Sequence, residues 1–137
     1  MALDLSNLEK ALVSLKTALD VYGRKTLPDT AHEKIVMRDG VIQRFEYTYE
    51  LAWKMLKRYL EAYGLEKPDS LTNKELFRIG FESGLIRSPE KWFYYLKMRN
   101  QTSHAYDEVK AAEVFSASLE FASDAEFLLQ KMKEKNS

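Results

Sequence analysis

The sequence predicts an all-α protein: an antiparallel four-helix up-and-down bundle with one additional short helix. Three observations carry this reading. Leu5, Leu8, Leu12, Leu15 and Leu19 recur at alternating steps of three and four, a narrow apolar stripe on one helix. A second, longer stretch shows two adjacent seams, Val41, Phe45, Thr48, Ala52, Met55 and Tyr59 beside Ile42, Tyr49, Leu56 and Leu60. Together they make the wide apolar face that a central bundle helix needs. The 5 glycines and 3 prolines are few and fall between the periodic segments.

Asp4 is the expected N-cap of the first helix, with Leu3 and Leu8 as a hydrophobic staple, and Gly23 marks its end. Thr26, Pro28, Asp29 and Thr30 break the chain into a loop up to about Glu33. The second helix is expected from about Lys34 to Tyr63, stopped by Gly64 and by Pro68 beyond it. Glu50 and Lys54 read as an i,i+4 ion pair on its outer side, and Lys54, Lys57 and Arg58 as a solvated face. Thr72 and Glu75 form a capping box, with Leu71 and Leu76 as its staple, so a short third helix starts near Asn73 and ends before Gly84. Ser88-Pro89-Glu90 reads as N-cap, N1 proline and acidic first turn of a fourth helix. The fifth is expected from about Asp107 to Lys133, on a stripe of Val114, Ser118, Phe121, Ala125, Leu128 and Met132 flanked by Phe115, Leu119 and Ala122; the last few residues look frayed.

The bulk numbers set bounds on function. The chain has 137 residues, 45% apolar and 31% charged, which fits a single domain over 1–137. Its 21 basic and 21 acidic side chains cancel, which argues against a broad cationic face for duplex nucleic acid but leaves room for a local basic site. With no cysteine, disulfides and thiolate metal sites are excluded. No stretch approaches the roughly 20 apolar residues of a membrane span, and Asp4 and Glu9 interrupt any early apolar run. A soluble, cytoplasmic protein without a membrane partner is the expectation.

One stretch stands apart. Arg99-Asn100-Gln101-Thr102-Ser103-His104-Ala105-Tyr106 is a polar island between the apolar Trp92–Met98 segment and the fifth helix. It gathers a fixed cation, a carboxamide, a proton carrier and a phenol. This set suits a phosphodiester, because a guanidinium binds phosphate oxygens bidentately and an imidazole moves protons near neutral pH. Arg99 and His104 are five apart, roughly 140° around an ideal helix. They converge only if the helix ends between them or a second subunit brings its own pair. The plainer alternative is a solvated helix end with its cap. No carboxylate cluster of ligand spacing lies nearby, so neither metal catalysis nor a cofactor is indicated. The Trp92–Met98 segment reads as core or subunit interface rather than a base-stacking platform. The series Tyr47, Tyr49, Trp53, Tyr59 and Tyr63 reads mainly as core. Arg38 and Arg44 read as structural ion-pair partners, although either could reach a phosphate.

Arg99-x4-His104-x-Tyr106 resembles the Arg-x4-His-x-Tyr signature of HepT-type proteins in the HEPN superfamily. Asn100 suits the polar position after the arginine. The stretch from Gly40 to Lys54, GVIQRFEYTYELAWK, resembles the branch known as nucleotidyltransferase substrate-binding proteins. The resemblance covers nearly the whole chain. It implies a small HEPN-like helical bundle that forms a homodimer, with the Arg/His motifs meeting in a cleft between subunits. It further implies a minimal nucleotidyltransferase encoded nearby as partner. In HepT-type toxins the bundle cleaves RNA without metal, and the partner silences it by transferring AMP to the motif tyrosine. Carried over, Arg99 and His104 are catalytic, Asn100 is supporting and Tyr106 is the modified residue. Two function classes stay open: a metal-independent endoribonuclease toxin of a toxin-antitoxin pair, and a non-catalytic subunit that presents substrate to a nucleotidyltransferase. The intact Arg99/His104 pair favours the first; the neutral charge favours the second.

Overall fold

The computed structural model describes residues 3–28, 30–63 and 71–136. Its elements are α1 (Ser6–Arg24), α2 (His32–Ala62), α3 (Asn73–Glu82), α4 (Pro89–Gln101), a single 3₁₀ turn (Thr102–His104) and α5 (Glu108–Asn136). Asp29, Gly64 and Pro68, expected as breakers, lie outside the described residues.

The helix starts follow from local chemistry. α3 opens with the full capping box: Thr72 Oγ1 accepts from the Glu75 amide at 3.1 Å and Glu75 Oε1 accepts from the Thr72 amide at 3.1 Å. That amide bond holds the exposed Glu75 carboxyl below its ordinary pKa. Ser88 caps α4 by accepting from the Lys91 amide, and Pro89 occupies its first turn. Asp107 caps α5, its Oδ1 accepting from the Val109 and Lys110 amides at 3.0 and 3.1 Å. At α1 the expectation shifts by one residue. Leu5 is the N-cap, and Asp4 instead accepts from the amide and hydroxyl of Ser6. α3 ends at Glu82, and Gly84 just beyond its C-cap Ser83 has a φ of +77°, the left-handed conformation that glycine adopts without a Cβ clash. Two boundaries are longer than expected. α2 begins at His32, where the Ile35 amide already bonds the Ala31 carbonyl, and α5 runs to Asn136 rather than fraying after Lys133. Contacts with the first two helices hold that last turn: Lys133 pairs with Glu9 at 2.6 Å and the Tyr63 hydroxyl donates to the Lys135 carbonyl.

Cross-helix contacts fix the topology. Lys34 meets the Tyr22 carbonyl and Thr48 meets the Ala11 carbonyl, so α1 and α2 are antiparallel. Glu46 meets Thr102 and Glu50 meets Arg99, so α2 and α4 are antiparallel. Arg87 and Tyr95 meet Asp124 while Gln101 meets the Lys110 carbonyl, so α4 and α5 are antiparallel. Lys16 pairs with Glu126 and Lys133 with Glu9, which closes the ring between α5 and α1. The result is an up-and-down four-helix bundle with α2 and α5 on a diagonal and α3 packed against α4 and α2. A Cβ on Gly80 would sit 3.3 Å from Leu56 Cδ2, so α3 can lie this close to α2 because that position has no side chain.

Both α2 seams and the whole α5 stripe are buried. Phe121 is the hub, its ring 5.1 Å from Phe45, 5.3 Å from Tyr95, 5.7 Å from Trp92 and 5.8 Å from Tyr49. Leu119, placed beside the stripe by its spacing, is exposed: it lies two residues, about 200°, from Phe121 and so on the other side of α5. Within the tyrosine and tryptophan series, Tyr49 and Tyr59 are core, Trp53 is half-buried, and Tyr47 and Tyr63 reach solvent. In the α4 segment Trp92, Tyr95 and Met98 face inward, whereas Tyr94 is on the surface.

Polar groups are woven into and around this core. Lys34, almost fully buried, donates to the Tyr22 and Lys25 carbonyls at 2.7 Å each and lies 4.0 Å from the centre of the Tyr22 ring, closing the C-terminal end of α1. Asp124, equally buried, accepts from Arg87 and from the Tyr95 hydroxyl, pinning α5 to α4. Burial, then the bond to Asp124, pushes the Tyr95 phenol far above its ordinary pKa. Arg38 is a structural pair as expected, bonded to Glu108 at 2.7 Å and Asp39 at 3.2 Å. Arg44 is held without an acid, donating to Ser14 Oγ and the Gly40 carbonyl.

Candidate functional site

The polar island lies where α4 gives out. After Gln101 the chain tightens into the Thr102–His104 turn, reverses through Ala105 and Tyr106, and re-enters a helix at Glu108. The turn is held by its own backbone, with the Ala105 amide donating to the Thr102 carbonyl at 3.2 Å and the Asp107 amide to the His104 carbonyl at 3.0 Å. It is anchored from two sides. Gln101 Nε2 donates to the Lys110 carbonyl of α5 at 3.1 Å, and the Thr102 hydroxyl bonds the Glu46 carboxylate of α2.

The helix therefore ends between Arg99 and His104, one of the two conditions for their convergence. Within one chain the two side chains do not bond each other. Arg99 is half-exposed on the last turn of α4; its Nε lies 2.5 Å from Glu50 Oε1 and its Nη1 is 3.3 Å from Asn100 Oδ1, and among the described residues Nη2 makes no hydrogen bond. Asn100 is thus beside Arg99 as expected. His104 is exposed, with Nδ1 3.3 Å from the Tyr106 hydroxyl and the two rings edge to face at 5.9 Å between centres. Tyr106 is 82% exposed: its phenol stands in solvent beside the histidine.

Two residues that the sequence reading did not place here belong to the site. The expected i,i+4 pair of Glu50 with Lys54 is present, but Arg99 of α4 is the closer partner. That pair is 4.0 Å apart, whereas the Arg99 contact is 2.5 Å. Glu46, one turn before Glu50, holds Thr102. The i,i+4 spacing of two carboxylates along α2 was the available signal. Next to them Tyr49 is fully buried, with a hydroxyl that has no hydrogen-bond partner among the described residues. Burial pushes its pKa well above the ordinary phenol value, Glu50 adds to the rise, and Arg99 opposes it. Among the described residues no group of three His, Asp or Glu side chains is arranged to hold a metal ion, and no helix is long and apolar enough to cross a membrane.

Beside the turn, Tyr94, Val109, Ala112 and Ser116 line a shallow, largely apolar hollow of about 560 Å³, rimmed by Glu108 and Glu113. Val109 is 71% exposed there, on the first turn of α5 and close in sequence to Tyr106.

This four-helix bundle, with Arg99 on the last turn of α4 and His104 and Tyr106 on the stretch that follows, falls by comparison among the HepT-like helical proteins. The chain belongs to the family described as nucleotidyltransferase substrate binding protein like, whose model matches residues 3–134. It is 34% identical to the probable ribonuclease HepT of Haemophilus influenzae, over 98% of this chain and 94% of that protein. Two solved structures share the fold. One, from Haemophilus influenzae, is described as a substrate binding domain of a nucleotidyltransferase; it superposes with a TM-score of 0.86 at 32% identity, covering 95% of this chain and 99% of that one. The other, from Thermus thermophilus, has a TM-score of 0.72 at 34% identity, covering 91% and 98%.

Proposed function

We propose that this chain is an endoribonuclease whose chemistry is carried by Arg99 and His104, and that it works with a nucleotidyltransferase partner as the toxin of a toxin-antitoxin pair. The observation that carries the proposal is the exposed turn, where a half-free guanidinium and a solvent-facing imidazole stand on a rigidly anchored backbone. The relative named as a ribonuclease supports it. In the reaction the 2′-hydroxyl of one nucleotide attacks its own 3′-phosphorus. The 2′-O–P bond forms as that hydroxyl loses its proton, the P–O5′ bond breaks, and the 5′-oxygen takes up a proton. The products are a 2′,3′-cyclic phosphate and a 5′-hydroxyl. His104 moves the proton, the open edge of Arg99 receives the charge that builds on the phosphorane oxygens, and Asn100 supports Arg99. The nucleophile is internal to the RNA, so no metal-activated water is required.

The reading includes a homodimer. Arg99 and His104 do not meet within one chain, and the hollow at Tyr94 and Val109 leaves apolar surface open beside them. A two-fold contact over this face brings two turns to one cleft. Light scattering at micromolar concentration is expected to give twice the chain mass; an active, strictly monomeric protein would refute the shared cleft.

Tyr106 is the point of control in this proposal. When its phenolic oxygen attacks the α-phosphorus of ATP, the phenol loses its proton, the Pα–O–Pβ bond breaks and pyrophosphate leaves; the AMP so attached places a phosphodiester charge beside His104 and blocks the RNA phosphate by charge and bulk. Incubation with the partner, ATP and Mg²⁺ is expected to add adenylyl mass to the Tyr106 peptide. Tyr106→Phe should cleave RNA yet escape silencing. Modification elsewhere, or a Tyr106→Phe protein silenced as fully as the parent, would contradict this.

The second reading, a non-catalytic subunit presenting substrate to a nucleotidyltransferase, is favoured by the description of the Haemophilus influenzae structure and by the balanced charge. Expression without the partner separates the two: growth arrest with RNA breakage selects the nuclease, and unimpaired growth with intact RNA selects the binding subunit.

A further inference from the structure

Arg99 is gripped from its inner side. A guanidinium has five N–H donors in a rigid plane, and Nε is the one nearest the chain. Glu50 Oε1 sits 2.5 Å from this atom as an ionic rather than a well-directed contact. Asn100 Oδ1 accepts from Nη1, and among the described residues Nη2 makes no hydrogen bond. A carboxylate at Nε restrains rotation about the last bonds of the side chain and turns the outer edge outward. Competition for Glu50 is weak, since Lys54 stands at 4.0 Å. The grip is made against a firm surface: Glu50 is half-buried, and its neighbour Tyr49 is packed between Phe45, Trp92 and Phe121. One turn earlier on α2, Glu46 holds Thr102, so the same helix fixes the arginine and the turn that leads to His104.

We infer that Glu50 is a positioning residue: it holds Arg99 by Nε so that the outer guanidinium edge faces the scissile phosphate, an assignment that rests on the ribonuclease reading above. The carboxylate does not touch RNA. Its contribution is to the orientation of a group that must meet developing charge, and such contributions appear in kcat rather than KM.

The test is a set of variants of the full chain assayed on an RNA oligonucleotide. Glu50→Gln keeps the shape and an acceptor oxygen but loses the charge, and is expected to lower kcat about 10-fold; Glu50→Ala loses both, and is expected to lower it about 100-fold. KM should move less than about threefold in either, because the outer edge is still present to bind phosphate. Lys54→Ala should leave both constants unchanged. A second readout is independent of activity. The Arg99 ¹H–¹⁵Nε resonance, assigned with Arg99→Lys, should exchange slowly with solvent in the parent and rapidly in Glu50→Ala. A Glu50→Ala protein with parental kcat, or one that loses only melting temperature, overturns the assignment, as does an Arg99 Nε signal indifferent to Glu50. If the parent itself cleaves no RNA, the ribonuclease reading fails and the catalytic role of Glu50 fails with it; the Nε signal then still reports whether the pairing exists.

Discussion

Replacing His104 with alanine is expected to reduce RNA cleavage by about 10²–10⁴-fold, the usual loss when a positioned proton-transfer group is removed. At 1.36 kcal/mol per decade this is about 3–5 kcal/mol of transition-state stabilisation. Arg99→Ala should cost about 10²–10³-fold, the scale seen when a donor to developing oxyanion charge is lost. The structure separates the two in stability. The His104 side chain is exposed and among the described residues bonds Tyr106 alone, so its truncation leaves no cavity and the melting profile should be unaltered. Arg99 is the closer partner of a half-buried carboxylate, so Arg99→Ala also leaves Glu50 without its main counter-ion. That pair is partly solvated, and its loss should cost no more than about 1 kcal/mol. Purified variants assayed on one RNA substrate, with thermal denaturation in parallel, check both statements. Parental cleavage by both variants would remove these residues from the mechanism.

Phe121→Ala is expected to destabilise the bundle by about 3–5 kcal/mol, with a melting temperature lower by about 10 °C or more. Its ring is fully buried and contacts aromatic side chains from α2 and α4 at once. The loss therefore combines transfer free energy, a cavity that two helices cannot readily close, and edge-to-face contacts of about 0.5–1.5 kcal/mol each. Leu119→Ala, at an exposed position of the same helix, should stay within about 0.5 kcal/mol. Urea unfolding of the two variants measures the contrast. A Phe121→Ala protein within 1 kcal/mol of the parent would show that the five-ring cluster does not hold the bundle together.

What could be read from sequence divides along physical lines. Features written by neighbouring residues were legible. The Thr72/Glu75 box, the Ser88-Pro89 start and the Asp107 start each depend on side chains reaching backbone a few positions away, and each is present. The α2 seams were legible because burial repeats with the helix. Periodicity alone was weaker at the edges of a stripe, where Leu119 and Ala122 look alike but only Ala122 is buried. Contacts between distant residues were not legible. The buried Asp124 has partners 37 and 29 residues away, and nothing in its own neighbourhood announces them. Glu46 and Thr102 are 56 apart. Glu50 had a local partner at helical spacing in Lys54, which concealed the closer one on α4.

For the candidate site the same division holds. The island followed from local composition; a helix end between Arg99 and His104 was only one of two conditions for their convergence, and the structure meets it. The family followed from the motif together with the α2 stretch, and the match over residues 3–134 bears it out. How Arg99 is oriented did not follow, because the orienting group comes from another helix.

The central claim is that this chain breaks RNA through Arg99 and His104, and the most direct measurement is the end chemistry of its products. The purified chain is incubated with a labelled RNA in the presence of EDTA, beside His104→Ala prepared in the same way. The account predicts cleavage by the parent alone, leaving 2′,3′-cyclic phosphate and 5′-hydroxyl ends. Intact RNA with the parent, equal cleavage by His104→Ala, or products carrying 5′-phosphates would contradict it.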